Sequence, residues 1–294
     1  MLKNNCFDVW LFRTLLFYLL NAHAYAYEKQ WYTNVSADVT HGLYKQSESL
    51  DTGSFTSLAI DLAYLERFGI TLKITDAIIT LKNNQPESRQ NKFAFRVRKK
   101  SFIDKIYGSI NYNLIYFQVS GKNADNVFAI APEFNYLSNN QSILISAGYA
   151  YSEYSKNKIS QIKVDQFNTS LGFSPFSSKL WINVKGYQTK NSLQTSNAIS
   201  INLKWWPGPK ARTLPTSYLI GSLLGTRRYA VEQDILLIYN TEDKQTNSYF
   251  VSATWNMMDN SYIVFTTGIE NYISTPNGQR YNYSYVNFNI SKTW

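Results

Sequence analysis

Apolar and polar residues alternate with a period of two through most of this chain, which predicts strands and not helices. In the stretch 31–42, Thr33, Val35, Ala37 and Val39 fall on one face, and Tyr32, Asn34, Ser36, Asp38 and Thr40 fall on the other. Over 55–66, Leu58, Ile60, Leu62 and Tyr64 oppose Ala59, Asp61 and Ala63. After a tight turn near Arg67 to Gly69, Ile70, Leu72 and Ile74 oppose Thr71, Lys73 and Thr75. Further strands are predicted at about 92–101, 107–119, 127–136, 142–152, 164–174, 179–188, 197–206, 216–226, 246–256, 261–272 and 282–294. Polar loops are expected around 44–54, 83–91, 153–163, 189–196, 227–245 and 273–280, with shorter turns at Asn139, Pro175 and Asp259. Pro207, Pro209 and Pro215 blur the pattern between Trp205 and Tyr239.

Fourteen strands, with twelve as the alternative, predict an all-β fold: a single antiparallel up-and-down transmembrane β-barrel occupying residues 27–294. Alternate residues face lipid, so no continuous apolar segment is needed and each span takes about 9–11 residues. An even count brings both termini to one side, the periplasmic side of such a barrel. The fourth strand decides which face points inward. Phe93, Phe95 and Val97 alternate with Ala94, Arg96, Arg98 and Lys100, and a basic residue at the lipid midplane costs about 2–4 kcal/mol. The arginines therefore face the lumen.

The last strand ends Y-N-Y-S-Y-V-N-F-N-I-S-K-T-W, with Val286, Phe288, Ile290 and Trp294 on its apolar face. It resembles the C-terminal β-signal of Gram-negative outer-membrane barrel proteins. That resemblance implies recognition by the barrel-assembly machinery through Phe288, Ile290 and Trp294. Lys292 interrupts the apolar face near the chain end, where it can snorkel to the interface.

Residues 1–26 carry the marks of a secretory signal peptide: Lys3, the apolar run Thr14 to Leu20, and Ala24-Tyr25-Ala26 around a cleavage site. Export to the outer membrane excludes nucleic acid as a partner. Cys6, the one cysteine, leaves with that segment, so the mature chain has no disulfide and no thiolate metal site. The full chain has 29 basic and 20 acidic residues. Losing Lys3, Arg13 and Asp8 leaves 27 and 19, a net charge of +8. That basic balance suits anionic partners such as lipopolysaccharide phosphates or acidic polysaccharide, and equally suits solubilising loops.

Extending the alternation places Lys73, Lys185 and Lys204 inside with Arg96, Arg98 and Lys100, and Asp38, Asp61, Glu133 and Glu270 supply internal acid. Large inward residues, Trp181, Tyr187 and Trp206, narrow the bore, and the long loop from Arg227 to Asn247 has the length to fold inward. The Arg96/Arg98/Lys100 ladder either lines a weakly anion-preferring passage or pairs with Asp61 or Glu133 across a blocked lumen. Trp181 and Tyr187 offer faces for sugar stacking.

Candidate catalysis is thin. The sole mature histidine, His41, lacks a His-x-Ser partner in sequence, although Ser47 and Glu48 lie in the adjoining loop; a solvated rim position is expected. Asp51-Thr52-Gly53-Ser54 copies an aspartic-protease signature, but that chemistry needs two carboxylates sharing a proton, and the motif is expected to form a turn. No metal-ligand cluster, calcium loop or phosphate loop occurs, so neither cofactor nor enzymatic activity is expected.

One narrower resemblance rests on Gly148-Tyr149-Ala150-Tyr151, Val164-Asp165, Gly221, Gly225-Thr226-Arg227-Arg228-Tyr229 and the terminal aromatic strand. In order and spacing, residues 130–294 resemble the YaiO-type outer-membrane barrel family, which implies polysaccharide or its export complex as a partner. Two functions follow: a porin-like passage, or a closed barrel acting through external loops such as Gly121 to Asn126, Ser152 to Gln161 and Arg227 to Asn247 as adhesin, receptor or accessory subunit.

Overall fold

The computed structural model describes residues 31–294 apart from 66, 104–107, 123–125, 157–159, 176–178, 193, 209–213, 240–242, 258–259 and 276. Residues 1–30, which hold Cys6 and the expected signal peptide, lie outside the described residues. Sixteen strands form, in chain order: β1 (Trp31–Lys45), β2 (Leu50–Tyr64), β3 (Phe68–Leu81), β4 (Ser88–Ile103), β5 (Gly108–Lys122), β6 (Asn126–Ser138), β7 (Ile143–Lys156), β8 (Ser160–Phe173), β9 (Leu180–Asn191), β10 (Thr195–Trp205), β11 (Ser217–Arg227), the short pair β12 (Val231–Glu232) and β13 (Leu237–Ile238), then β14 (Lys244–Asn256), β15 (Ser261–Ile273) and β16 (Arg280–Thr293). Fourteen of them close into one antiparallel barrel, each paired with its sequence neighbours; β12 and β13 form a separate hairpin between β11 and β14. The twelve-strand alternative is thereby excluded.

Closure joins the first strand to the last, with Ala37 opposite Ile290 and Val39 opposite Phe288, and leaves no unpaired edge. Leu72, Ile74, Leu114, Phe128, Ile130, Ile199, Ile220, Val251, Phe288 and Ile290 stand exposed on the outside, and the period of two sends their neighbours inward.

The strands run longer than the alternation predicts, because pairing continues past the apolar band into polar residues. The loop expected at 44–54 shrinks to four residues between β1 and β2, and Asp51 to Ser54 sits inside β2 instead of forming a turn, with Gly53 opposite Gly42. The turn after β2 comes earlier than predicted, with Leu65 in the left-handed region (φ 48°).

The interior departs most from expectation along β4 to β8. Ala94, Ile115, Phe117, Val119, Val127, Ala129, Ala131, Ala150, Tyr154 and Val164 face the lumen and are almost fully buried, forming one core with Tyr229, Val231, Leu236 and Ile238 of the β11–β14 loop. Apolar burial on both faces is unusual for a barrel strand with a wet lumen. Here the loop takes the place of water.

Candidate functional site

The β11–β14 loop enters the barrel because its base is bent. Gly225 has φ +99°, and a Cβ there would lie 2.5 Å from the Asn197 carbonyl oxygen; only glycine suits that position. The β11–β14 register slips between Leu224 and Arg227, and the β14–β15 register between Gln245 and Asn247. Such bulges re-aim a strand end. At the tip, Leu236 adopts φ 51°, a conformation costing a bulky residue about 1–3 kcal/mol, and its buried side chain holds it there.

Gln233 fastens the loop to the wall and is completely buried. Pro132 stands in mid-strand in β6, where its missing N–H interrupts the ladder: β6–β7 pairs stop at Ile130–Tyr151 and resume at Glu133–Gly148. Gln233 Nε2 donates to the two carbonyl oxygens at that gap, Pro132 at 3.1 Å and Tyr149 at 3.2 Å. Its Oε1 accepts from Asn168 Nδ2 at 2.7 Å. Room for it comes from Gly148, where a Cβ would meet Gln233 Oε1 at 2.5 Å. One turn nearer the base, Gln166 Nε2 donates to the Val231 carbonyl and Oε1 accepts from the Val231 N–H.

Charged groups complete the attachment. The buried Arg227 guanidinium pairs with Glu232, which also accepts from Tyr187 Oη at 3.1 Å. Lys185 Nζ, 3% exposed, reaches Asp234 Oδ2 at 2.7 Å. Lys73 Nζ donates to the Ile235 carbonyl, and Lys92 Nζ to that of Ile238. Burial, and next the Glu270 carboxylate, push the Tyr239 hydroxyl well above the usual phenol range.

The loop covers only one side of the bore. Ser36, Asp38 and Thr40 of β1 and Asn287, Asn289 and Ser291 of β16 face inward yet stay half-exposed, and Asp234 and Ile235 are exposed on the loop's free surface. Toward the loop end this polar side narrows at a tyrosine cluster: Tyr44 stacks on Tyr283 at 4.6 Å and Tyr272 on Tyr281 at 5.2 Å. Tyr281 Oη donates to Asp243 at the base of the loop.

Toward the terminal end lies a cavity of about 490 Å³ lined by Tyr32, Asn34, Asp61, Ala63, Arg96, Arg98, Lys100, Asn111, Asn113, Asn135 and Thr293. Arg98 bridges to Asp61 at 2.8 Å. Arg96 directs Nε and Nη2 at Thr71 Oγ1, which in turn donates to Asp61. Asn113 and Asn135 both donate to Glu133 Oε2.

The lumenal candidates thus divide. Arg96, Arg98, Lys100 and Asp61 share this vestibule, with Glu133 behind its asparagines, while Lys73, Lys185 and Tyr187 engage the loop. Trp181 lies over Gly172, and Lys204 sits 5.0 Å above the Trp206 ring, apart from both groups. Phe288 and Ile290 lie on the outer face, and Trp294 is tied to Thr33 by two backbone hydrogen bonds, with Lys292 Nζ 5.2 Å from its ring.

Glu232, Gln233 and Asp234 fall in the loop whose composition predicts a polar connection, and Gln166 falls within β8, where alternation marks only its face. The available signal was Val231 and the run Ile235-Leu236-Leu237-Ile238, facing the doubly apolar Leu114 to Phe117 and Val127 to Ala131.

His41 does find a serine, not Ser47 but Ser54 on the adjacent strand, Nδ1 to Oγ 2.8 Å on the outer face. Among the described residues no carboxylate hydrogen-bonds its other nitrogen, and none form a metal-ligand group.

No protein-family model matches the sequence, and no curated protein matches it; the YaiO-type resemblance therefore has no family match behind it. Solved structures do match in shape. The deltaS2S3 mutant of TodX, a monoaromatic hydrocarbon channel, superposes with a TM-score of 0.58 over 91% of each chain at 9% identity. CymD, another monoaromatic hydrocarbon channel, gives 0.54 over 91% of this chain and 89% of its own at 7% identity. A bacterial polysaccharide outer-membrane secretin gives 0.51 over 91% and 99% at 11% identity. At such identities the likeness establishes the fold alone, a closed antiparallel β-barrel.

Proposed function

We propose that this protein is a narrow, porin-like passage for small polar solutes across the outer membrane of a Gram-negative bacterium, with the β11–β14 loop as a fixed constriction. The observation that carries the reading is the asymmetry of the bore at the level of the loop: the β4–β8 wall is buried under the loop, while Ser36, Asp38 and Thr40 of β1 and Asn287, Asn289 and Ser291 of β16 stay half-exposed. In this orientation the termini and the vestibule face the periplasm and the loop enters from outside. Eight-stranded barrels are filled by side chains and 16–18-stranded ones leave a channel; fourteen strands plus an inward loop support a passage between these limits. The channel names borne by similar folds are compatible with it. Aromatic solutes such as those of the hydrocarbon channels fit less well, since the uncovered side is polar.

The basic groups do less for selectivity than their number suggests. Lys185, Arg227 and Arg98 are neutralised by Asp234, Glu232 and Asp61, so anion preference would come from the vestibule. Swelling of liposomes containing the purified barrel, in graded polyols, tests the reading: entry of small polyols with a sharp size cut-off is expected, and no entry of even the smallest, from correctly folded protein, would refute it.

A second reading is a closed barrel acting through its external loops as a receptor or as an accessory subunit of polysaccharide export. The buried tyrosine cluster favours it by filling much of the outer end. Neither reading requires a cofactor or a chemical step. Contact with lipopolysaccharide belongs to both.

A further inference from the structure

We propose that the vestibule is a binding site for a small polyhydroxy carboxylate, a sugar acid of monosaccharide size, which deepens the passage reading and rests on it for the route of access. The cavity, about 490 Å³, falls within the range of roughly 300–1,000 Å³ usual for small-molecule sites. Its chemistry is of two kinds placed together. Arg96, Arg98 and Lys100 line it together with Asp61. Arg98 is held by Asp61, and Arg96 spends Nε and Nη2 on Thr71, which leaves its Nη1 for a ligand. A guanidinium fixed in this way is suited to a carboxylate.

The asparagines supply the complement. Asn113 and Asn135 use their Nδ2 groups on Glu133, so their Oδ1 atoms are left as acceptors, and the buried Asn34 Oδ1 has no hydrogen-bond partner among the described residues. Acceptors of this sort match ligand hydroxyls, and an unmet buried acceptor is costly until something donates to it. Tyr32, 44% exposed, adds a ring at the rim. An inorganic anion would leave the acceptors unused, and a neutral sugar would leave Arg96 Nη1 unused. A hydroxylated carboxylate uses both.

The test is equilibrium binding to the full-length folded barrel in detergent, which does not depend on conduction. D-glucuronate is compared with D-glucose and acetate. At least tenfold tighter binding of glucuronate than of either is expected, with tenfold or greater loss in Arg96→Gln and in Asn113→Leu. Arg96→Lys, which keeps the charge but loses the fork, should show an intermediate loss, and Asn34→Leu gives a variant outside the ion-pair network; heat-modifiable mobility verifies each fold. Equal binding of acetate and glucuronate, no binding of any probe, or affinity unchanged in all four folded variants would overturn the proposal. A barrel that binds glucuronate yet admits no polyol would leave this site standing and refute the passage. One that admits polyols but does not bind glucuronate would do the reverse.

Discussion

Pro132 deletes one N–H from the middle of a barrel strand, and Gln233 answers it from 101 positions away with a side-chain amide. Either residue alone is a liability: a proline in a ladder, or a glutamine with no exposed atom. Gln233→Leu should leave two strand carbonyls and Asn168 without this partner. At about 1–3 kcal/mol for a buried group left unsatisfied, it should destabilise the docked loop by a few kcal/mol in urea unfolding and make the channel current noisier. Arg227 and Glu232, 5% and 12% exposed, form the second fastening. Arg227→Met alone should cost about 3–5 kcal/mol by stranding a buried carboxylate, whereas Arg227→Met with Glu232→Gln should recover most of that loss; equal losses in single and double variants would mean that the pair holds nothing.

Much at this scale was legible in the sequence. Lipid excludes charge, so Arg96, Arg98, Lys100 and Asp61 could be assigned to the inner face from alternation alone. Their partners could not, because Arg98–Asp61 depends on register across two strand boundaries, and Gln233 carries no local pattern at all.

Among the elements, the strands were legible because the membrane imposes alternation on each, and their ends were not, because hydrogen bonding continues where lipid contact stops. Asp51 to Ser54 shows the difference: turn-forming residue types, yet drawn into β2 by pairing with β1 and β3. The β11–β14 loop shows the converse error. Its apolar residues are core residues of an interior that exists only once the barrel has closed. Val231→Asp should therefore undock the loop, since burying that side chain contributes about 1.5–3 kcal/mol and an unpaired carboxylate in its place is far worse; protease cleavage within 228–243 in Val231→Asp, against resistance in the parent, would show it. For β16, deletion of Trp294 removes the closing hydrogen bonds to Thr33 as well as the terminal aromatic of the proposed assembly signal. Less heat-modifiable barrel in the outer membrane is expected, with export intact; an unchanged amount would remove the assembly role.

As a whole, the molecule is a closed cylinder with an apolar core on one side of its bore and a strip of half-exposed polar side chains on the other. Strand number sets the diameter, and the loop sets what remains of it. The decisive measurement is single-channel conductance in planar bilayers of the full chain and of a variant with residues 229–239 replaced by a short glycine-serine link. A small, finite conductance that rises several-fold in the variant is the predicted result. A full-length barrel, correctly folded, that carries no current would contradict the passage, whether or not the variant conducts.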